Sequence, residues 1–164
     1  MIKKLQLQIT ILKLQIEILL LNKKRTIPNL DKPTKIIVHH AAGWLDFEGV
    51  NNYHKQKWGF KSSLGFYIGY TYFIDRQGVV HQGRADNEEG AHTLGQNKQS
   101  IGICLMGNGE EKDFTSEQYQ SLSDLLNKKK NEYGISNSQI FGHNNFSNTL
   151  CPSKRLTLWL LKLS

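Results

Sequence analysis

Two short apolar runs, KIIV at 35–38 and the interior of SIGICLMG at 100–107, set the limits on what this chain can become. Each is flanked by polar residues and has the length and β-branched content of a buried strand. KIIVHH reads as a short buried strand that ends in two histidines, and SIGICLMG as a central strand. Helical patterns lie between and beyond them, with no internal repeat. Strands and helices therefore alternate, and the fold class is α/β (α+β): a central mixed β-sheet flanked by helices.

The remaining elements follow from local chemistry. DFEGVNNYHKQKW predicts a helix with Asp46 as N-cap and Phe47, Val50, Tyr53/His54 and Trp58 along one face. Aromatic and β-branched residues from Phe66 to Ile74, the turn RQG and the return VVHQG read as a β-hairpin. RADNEEGAHTLGQNKQ is polar and glycine-bearing, a surface loop of the kind that holds substrate contacts. In FTSEQYQSLSDLLNKKKNEYG, Thr115 and Gln118 form a capping-box pattern and Gly134 supplies the stop. Tyr119, Leu122, Leu125/Leu126 and Tyr133 make its buried stripe, and Lys128–Lys130 read as a solvated cluster near its C-terminus. SKRLTLWLLKL closes the compact domain, 35–164, as a short apolar helix.

Residues 1–25 are unlike anything later. Leu5, Ile9, Leu12, Ile16 and Leu19 follow the 4-3-4-3 spacing of a heptad seam, and Leu7, Ile11, Leu14, Ile18 and Leu21 repeat it two residues on. Strand alternation fits parts of the stretch, with a phase break at Ile11–Leu12, but its length favours a two-faced helix. Such a helix needs partners on both sides, through self-association or a protein partner over residues 5–21. Gln8, Lys13, Gln15 and Glu17 interrupt the apolar run, which argues against both a signal peptide and a transmembrane segment. TIPNLDKPT, 26–34, holds two of the three prolines and reads as a linker.

Net charge is +7, but +6 of it falls on residues 1–35 and only +1 on the body. A nearly neutral body argues against nucleic-acid binding, which concentrates positive charge on one face. Two cysteines make no disulfide framework. Cys104, inside an apolar strand, reads as a small buried hydrophobe, whereas Cys151 lies in a polar loop.

That loop, HNNFSNTLCP, sets His143 and Cys151 eight positions apart, and His39 ends the first strand. Two imidazoles and a thiolate suit zinc, and three protein ligands leave a fourth position for water. A loop histidine and a packed free cysteine are the plainer alternative, and these residues alone leave both open.

Five ordered motifs extend the comparison: IIVHHAA, GYTYFIDRQGVVHQGR, GAHTLGQNKQSIGICLMG, FTSEQYQSL and GHNNFSNTLCPS. Over roughly 35–161 the chain resembles the zinc-dependent N-acetylmuramoyl-L-alanine amidases, the family of T7-type phage lysozymes and the peptidoglycan recognition proteins. The resemblance implies one Zn²⁺ per chain on His39, His143 and Cys151. His40 falls on the other side of the strand. It implies a catalytic role for Tyr70 and places His92 at a non-ligand histidine beside the cleft, a candidate substrate contact. At Thr149 the T7-type enzymes carry lysine and many catalytic recognition proteins threonine, so an acid of the lysine type is absent. The implied reaction is hydrolysis of the amide between N-acetylmuramic acid and L-alanine in peptidoglycan. Non-catalytic peptidoglycan-binding relatives are the alternative. They commonly lose the metal-binding cysteine, and Cys151 is retained here. A further alternative is an amidase whose N-terminal helix recruits a protein partner. Lack of a clean leader suits a lysin made in the cytoplasm and released to the wall, that of the host cell if phage-encoded.

Overall fold

The computed structural model describes residues 2–24 and 32–163. Five strands form one sheet: β1 (Lys35–His40), β2 (Tyr72–Ile74), β3 (Val80–Gln82), β4 (Ser100–Leu105) and β5 (Ile140–Gly142). Their order across the sheet is β3-β2-β4-β1-β5. β1 pairs in parallel with β4 and β5, and β2 in parallel with β4, while β2 and β3 form the antiparallel hairpin. The sheet is mixed because that one tight turn is set against crossover connections.

α1 (Ile2–Lys24) precedes the sheet, and α2 (Phe47–Lys57), α3 (Ser116–Tyr133) and α4 (Lys154–Leu161) are interleaved with its strands. The caps are those that short polar side chains make with bare N–H groups. Asp46 accepts from Gly49 N at 2.8 Å, and Thr115 and Gln118 bond reciprocally at the start of α3. Gly134 ends α3 in the left-handed region (φ 69°), where a β-carbon would be strained.

β1 and β4 are buried along their length, so each sheet face carries its own core. Ile36, Val38, Tyr72, Ile74, Ile101, Ile103 and Leu105 pack with Leu122, Leu125 and Leu126 of α3 and Leu156 and Leu160 of α4. On the other face Phe73 and Cys104 pack with Ile68 and with Phe47 and Val50 of α2. His39 belongs to this second, smaller face, which leaves room for a cleft at its end.

Two expectations are corrected. Phe66–Thr71 is not strand: regular pairing begins at Tyr72. Gly69 lies so close to Ala91 that an added Cβ would stand 2.4 Å from the Ala91 carbonyl oxygen, and the Thr71 hydroxyl accepts from Gly102 N at 3.2 Å. The segment is laid against the following loop at Gly69 and reaches β4 at Thr71, whose N–H donates to Gly102 O at 2.9 Å, before regular pairing begins. Lys129 is not solvated but 4% exposed, bonded to Asp86 and to Glu132. It lies one turn beyond Leu125, on the buried stripe.

α1 is helical from Ile2 to Lys24, and its Leu and Ile side chains from Leu5 to Leu19 are 46–66% exposed on both stripes. Met1, Arg25, residues 26–31 of the expected linker 26–34, and Ser164 lie outside the described residues, as does the side chain of Leu21. No described helix is long and apolar enough to cross a membrane.

Candidate metal centre

Parallel strands end together at one rim, and the crevice beyond their carboxyl ends is where such sheets place ligands. Here β1 delivers His39 and His40, β4 leads into Asn108 and Glu110, and β5 leads into His143. A cavity of about 510 Å³ lies at that rim, lined by His39, His40, Tyr70, His92, His143, Thr149 and Cys151 among others. The sequence-expected residues therefore share one cavity, although they come from five separate segments.

His39, His143 and Cys151 each turn one ligand atom inward, and these atoms lie within 4.8 Å of one another. The Cys151 sulfur is 3.7 Å from His39 Nδ1, and the His39 and His143 rings stand 4.6 Å apart. All three side chains are buried or half-buried. Burial, and then the neighbouring His92 and His143, holds His39 well below the usual imidazole range, and burial lowers His143 as well. Both rings are therefore neutral at pH 7, with lone pairs to give. Burial pushes the Cys151 thiol up to about 12, partly offset by the His40 backbone N–H that reaches its sulfur at 3.3 Å. A buried sulfur beside two neutral imidazoles is a donor set for a soft or borderline cation. Both cysteines are free, so no bridge competes for that sulfur.

Tyr70 stands over the cluster, its ring 5.3 Å from that of His39. Burial first, then Cys104 and Cys151, holds its phenol well above the usual range. It stays protonated and can donate. The Thr149 hydroxyl oxygen accepts from Cys151 N at 3.2 Å, which fixes the loop and leaves its O–H free to donate into the cavity.

His92 lines the same cavity, but its Nδ1 is 3.0 Å from Nε2 of His39, on the side of that ring away from Cys151. Residues that sequence reasoning missed complete the wall. His40 takes the opposite side of β1, as strand alternation requires, yet its ring accepts from Gly109 N at 3.1 Å and closes one end of the cavity. Asn108 and Glu110 were legible only as polar residues following a central strand. Thr93, beside His92 in GAHT, brings its hydroxyl within 3.3 Å of His39 Nε2. A second cavity, about 420 Å³, shares Ala41, Ala42 and Tyr70 with the first and runs along α2 past Tyr53, Lys57 and Trp58. The cleft is thus elongated, with the donor cluster toward one end.

Comparisons with known proteins agree with this geometry. Residues 29–154 match the family model described as N-acetylmuramoyl-L-alanine amidase. An endolysin of Klebsiella phage KP32 is 34% identical over 126 residues, covering 74% of this chain and 68% of its own. Peptidoglycan-recognition protein SC1a of Drosophila melanogaster is 32% identical over 130 residues, 73% and 68% of the two chains. The solved N-acetylmuramoyl-L-alanine amidase LysC from Clostridium intestinale URNW superposes with a TM-score of 0.69 at 27% identity, over 81% of this chain and 87% of that one.

Proposed function

The chain belongs to the N-acetylmuramoyl-L-alanine amidase family, and from that premise we propose that it hydrolyses the amide between the lactyl group of N-acetylmuramic acid and L-alanine in bacterial peptidoglycan, using one zinc ion on His39, His143 and Cys151. The observation that carries the reading is the convergence of those three donors in a cleft that also presents Tyr70 and Thr149. Tetrahedral zinc, with bonds of about 2.3 Å to sulfur and 2.0–2.1 Å to nitrogen, sets an S and an N donor roughly 3.6 Å apart. Cys151 Sγ and His39 Nδ1 are 3.7 Å apart. The donor set fits.

When bound, zinc supplies a Lewis acid for the scissile carbonyl and lowers the pKa of water toward about 7. The protein's own groups do the rest. Tyr70, kept protonated by burial, donates a hydrogen bond to the oxygen on which negative charge develops. Thr149 gives a second donor there, because its oxygen is already satisfied by Cys151 N–H. Threonine does not protonate a leaving amine. That proton passes through the Tyr70 hydroxyl or from solvent, where T7-type relatives carry a lysine. His40 and Glu110 form the wall on the far side of Cys151.

The substrate places the site of action at the bacterial wall, in keeping with the phage endolysins among the relatives. α1 adds a proposed means of association. Ile9 and Ile16 occupy a positions and Leu5, Leu12 and Leu19 d positions, the choice that favours a parallel two-stranded coil. The stripe through Leu7, Ile11, Leu14 and Ile18 is left for a further copy or a protein partner.

Zinc analysis joined to cleavage of purified peptidoglycan, with mass spectrometry of the products, tests the reading. About one zinc per chain is expected, together with release of free stem peptides beginning at L-alanine. Cys151→Ala is expected to lose both metal and cleavage. Full activity in metal-free protein would refute the mechanism.

A further inference from the structure

Both ring nitrogens of His92 are engaged inside the fold. Its Nε2 faces the Ser100 hydroxyl at 3.5 Å, and its Nδ1 faces His39. That Nδ1 lies 3.0 Å from His39 Nε2, with the rings 81° apart, edge to face. A His39 whose Nδ1 lone pair serves as the donor carries its proton on Nε2, where His92 Nδ1 is placed to accept it. His39 is thereby held as the tautomer whose Nδ1 lone pair faces Cys151 and His143. The Thr93 hydroxyl, 3.3 Å from the same His39 Nε2 and 3.1 Å from His92 Nδ1, is the weaker, shared partner.

The fold builds a slot for this ring. A Cβ on Gly90 would stand 2.4 Å from His92 Cδ2, and one on Gly102 would stand 2.5 Å from the same atom. Two glycines, one from the loop and one from the middle of β4, thus make room for a single imidazole. The backbone is clamped as well: Asn97 Oδ1 accepts from both His92 N at 3.0 Å and Thr93 N at 2.8 Å. A substrate contact needs a free ring nitrogen, and this arrangement spends both on the fold.

We propose that His92 is a positioning residue for His39, setting the tautomer and aim of that ligand and hence the affinity of the centre for zinc, in place of the substrate contact its position beside the cleft suggests. The inference rests on the zinc reading above. Partners of this kind on ligand histidines are worth about 10–100-fold in metal affinity.

Metal-depleted full-length protein, titrated with zinc chloride against a chromophoric chelator, tests it. His92→Leu is expected to bind zinc about 10–100-fold more weakly, yet to show an unchanged KM for muropeptide once zinc-saturated. His92→Asn, whose Oδ1 can stand where Nδ1 stood, is expected to recover most of the affinity. The cobalt-substituted protein is expected to change its visible spectrum in the leucine variant and not in the asparagine variant. Parent-like zinc affinity in His92→Leu, with a raised KM, would overturn the inference and leave the zinc reading intact. Failure of the parent protein itself to bind zinc would overturn both. Should the leucine variant not fold, Thr93→Val decides: a few-fold loss of zinc affinity is expected, and no loss refutes the relay.

Discussion

Replacing Lys129 with methionine removes a charge from the face of the sheet away from the cleft. The Lys129 ammonium bonds to Asp86 Oδ2 and, at 2.8 Å, to Glu132 Oε2, and it lies over the rings of Tyr72 and Tyr133 at 5.3 and 5.6 Å. Burial works against its charge, but the hydrogen bonds to Asp86 and Glu132 outweigh that and hold its pKa above the usual lysine value. A raised folded pKa means the stabilisation is fully present at neutral pH and is lost only as strongly alkaline pH is reached. In Lys129→Met, Asp86 is left with a side chain 12% exposed and no cation. Stranding one partner of a buried pair costs about 3–5 kcal/mol. Tyr72 and Tyr133 still donate to Asp86 at 2.5 and 2.8 Å, which places the expected loss near the lower bound, about 3 kcal/mol. For a domain of this size that lowers Tm by roughly 10 °C. Equilibrium urea unfolding of parent, Lys129→Met and Lys129→Met/Asp86→Asn measures it. The double variant is expected to regain most of the loss, because it no longer buries an unpaired carboxylate. A loss below about 1 kcal/mol, or a double variant no better than the single, would show that the pair behaves as a surface ion pair.

Four further outcomes are expected. Tyr70→Phe lowers kcat about 10²–10³-fold with zinc content unchanged, and Thr149→Val lowers it about tenfold; single-turnover cleavage that leaves Tyr70→Phe at parent rate removes the phenol from the mechanism. His54, whose Nδ1 accepts from Gly69 N at 2.8 Å, is held by burial first at about 4, so the folded protein keeps it neutral while the unfolded chain protonates. Stability therefore falls as pH drops from about 6.5 to about 4, by about 2 kcal/mol after allowance for partial solvent access. His54→Asn, with an oxygen for the Gly69 N–H, flattens that acid limb, and parallel limbs in the two proteins would exclude it. Deleting residues 1–25 reduces a self-associated protein to monomers while soluble muropeptide is still cleaved. Sedimentation that gives one mass before and after the deletion counts against α1 as the interface.

What the sequence made legible was mostly local. Asp46, and Thr115 with Gln118, announce helix starts because a cap and its N–H partners lie within one turn. His39 and HNNFSNTLCP could be paired as candidates only through the ordered motifs around them, and the structure brings the Cys151 sulfur within 3.7 Å of His39 Nδ1. The arrangement behind His39 was not legible, since it depends on Gly90 and Gly102, twelve positions apart in sequence and meeting only across one imidazole. Lys129 was hidden by its neighbours. In a run of three lysines nothing marks the middle one, except that it continues the spacing of Leu122, Leu125 and Leu126. Phe66–Thr71 has strand composition, but tertiary contacts of Gly69 and Thr71 override it.

β5 touches the sheet through β1 alone, across three residue pairs. The two donors that follow it, His143 and Cys151, meet a donor on β1 that is up to 112 residues earlier in the chain. During synthesis, therefore, a ribosome that has delivered everything through α3 has still made only one of the three donors. On the proposed reading, the candidate centre is incomplete until β5 docks beside β1. On the proposed zinc reading, metal held by these donors would tie the segment after β5 to the centre of the sheet, closing a very long loop at little extra entropic cost over a shorter one. The same tie makes the β5-to-α4 segment the first expected to fray when a chelator removes the ion, so that proteolytic nicking there reports loss of metal before the rest of the molecule opens.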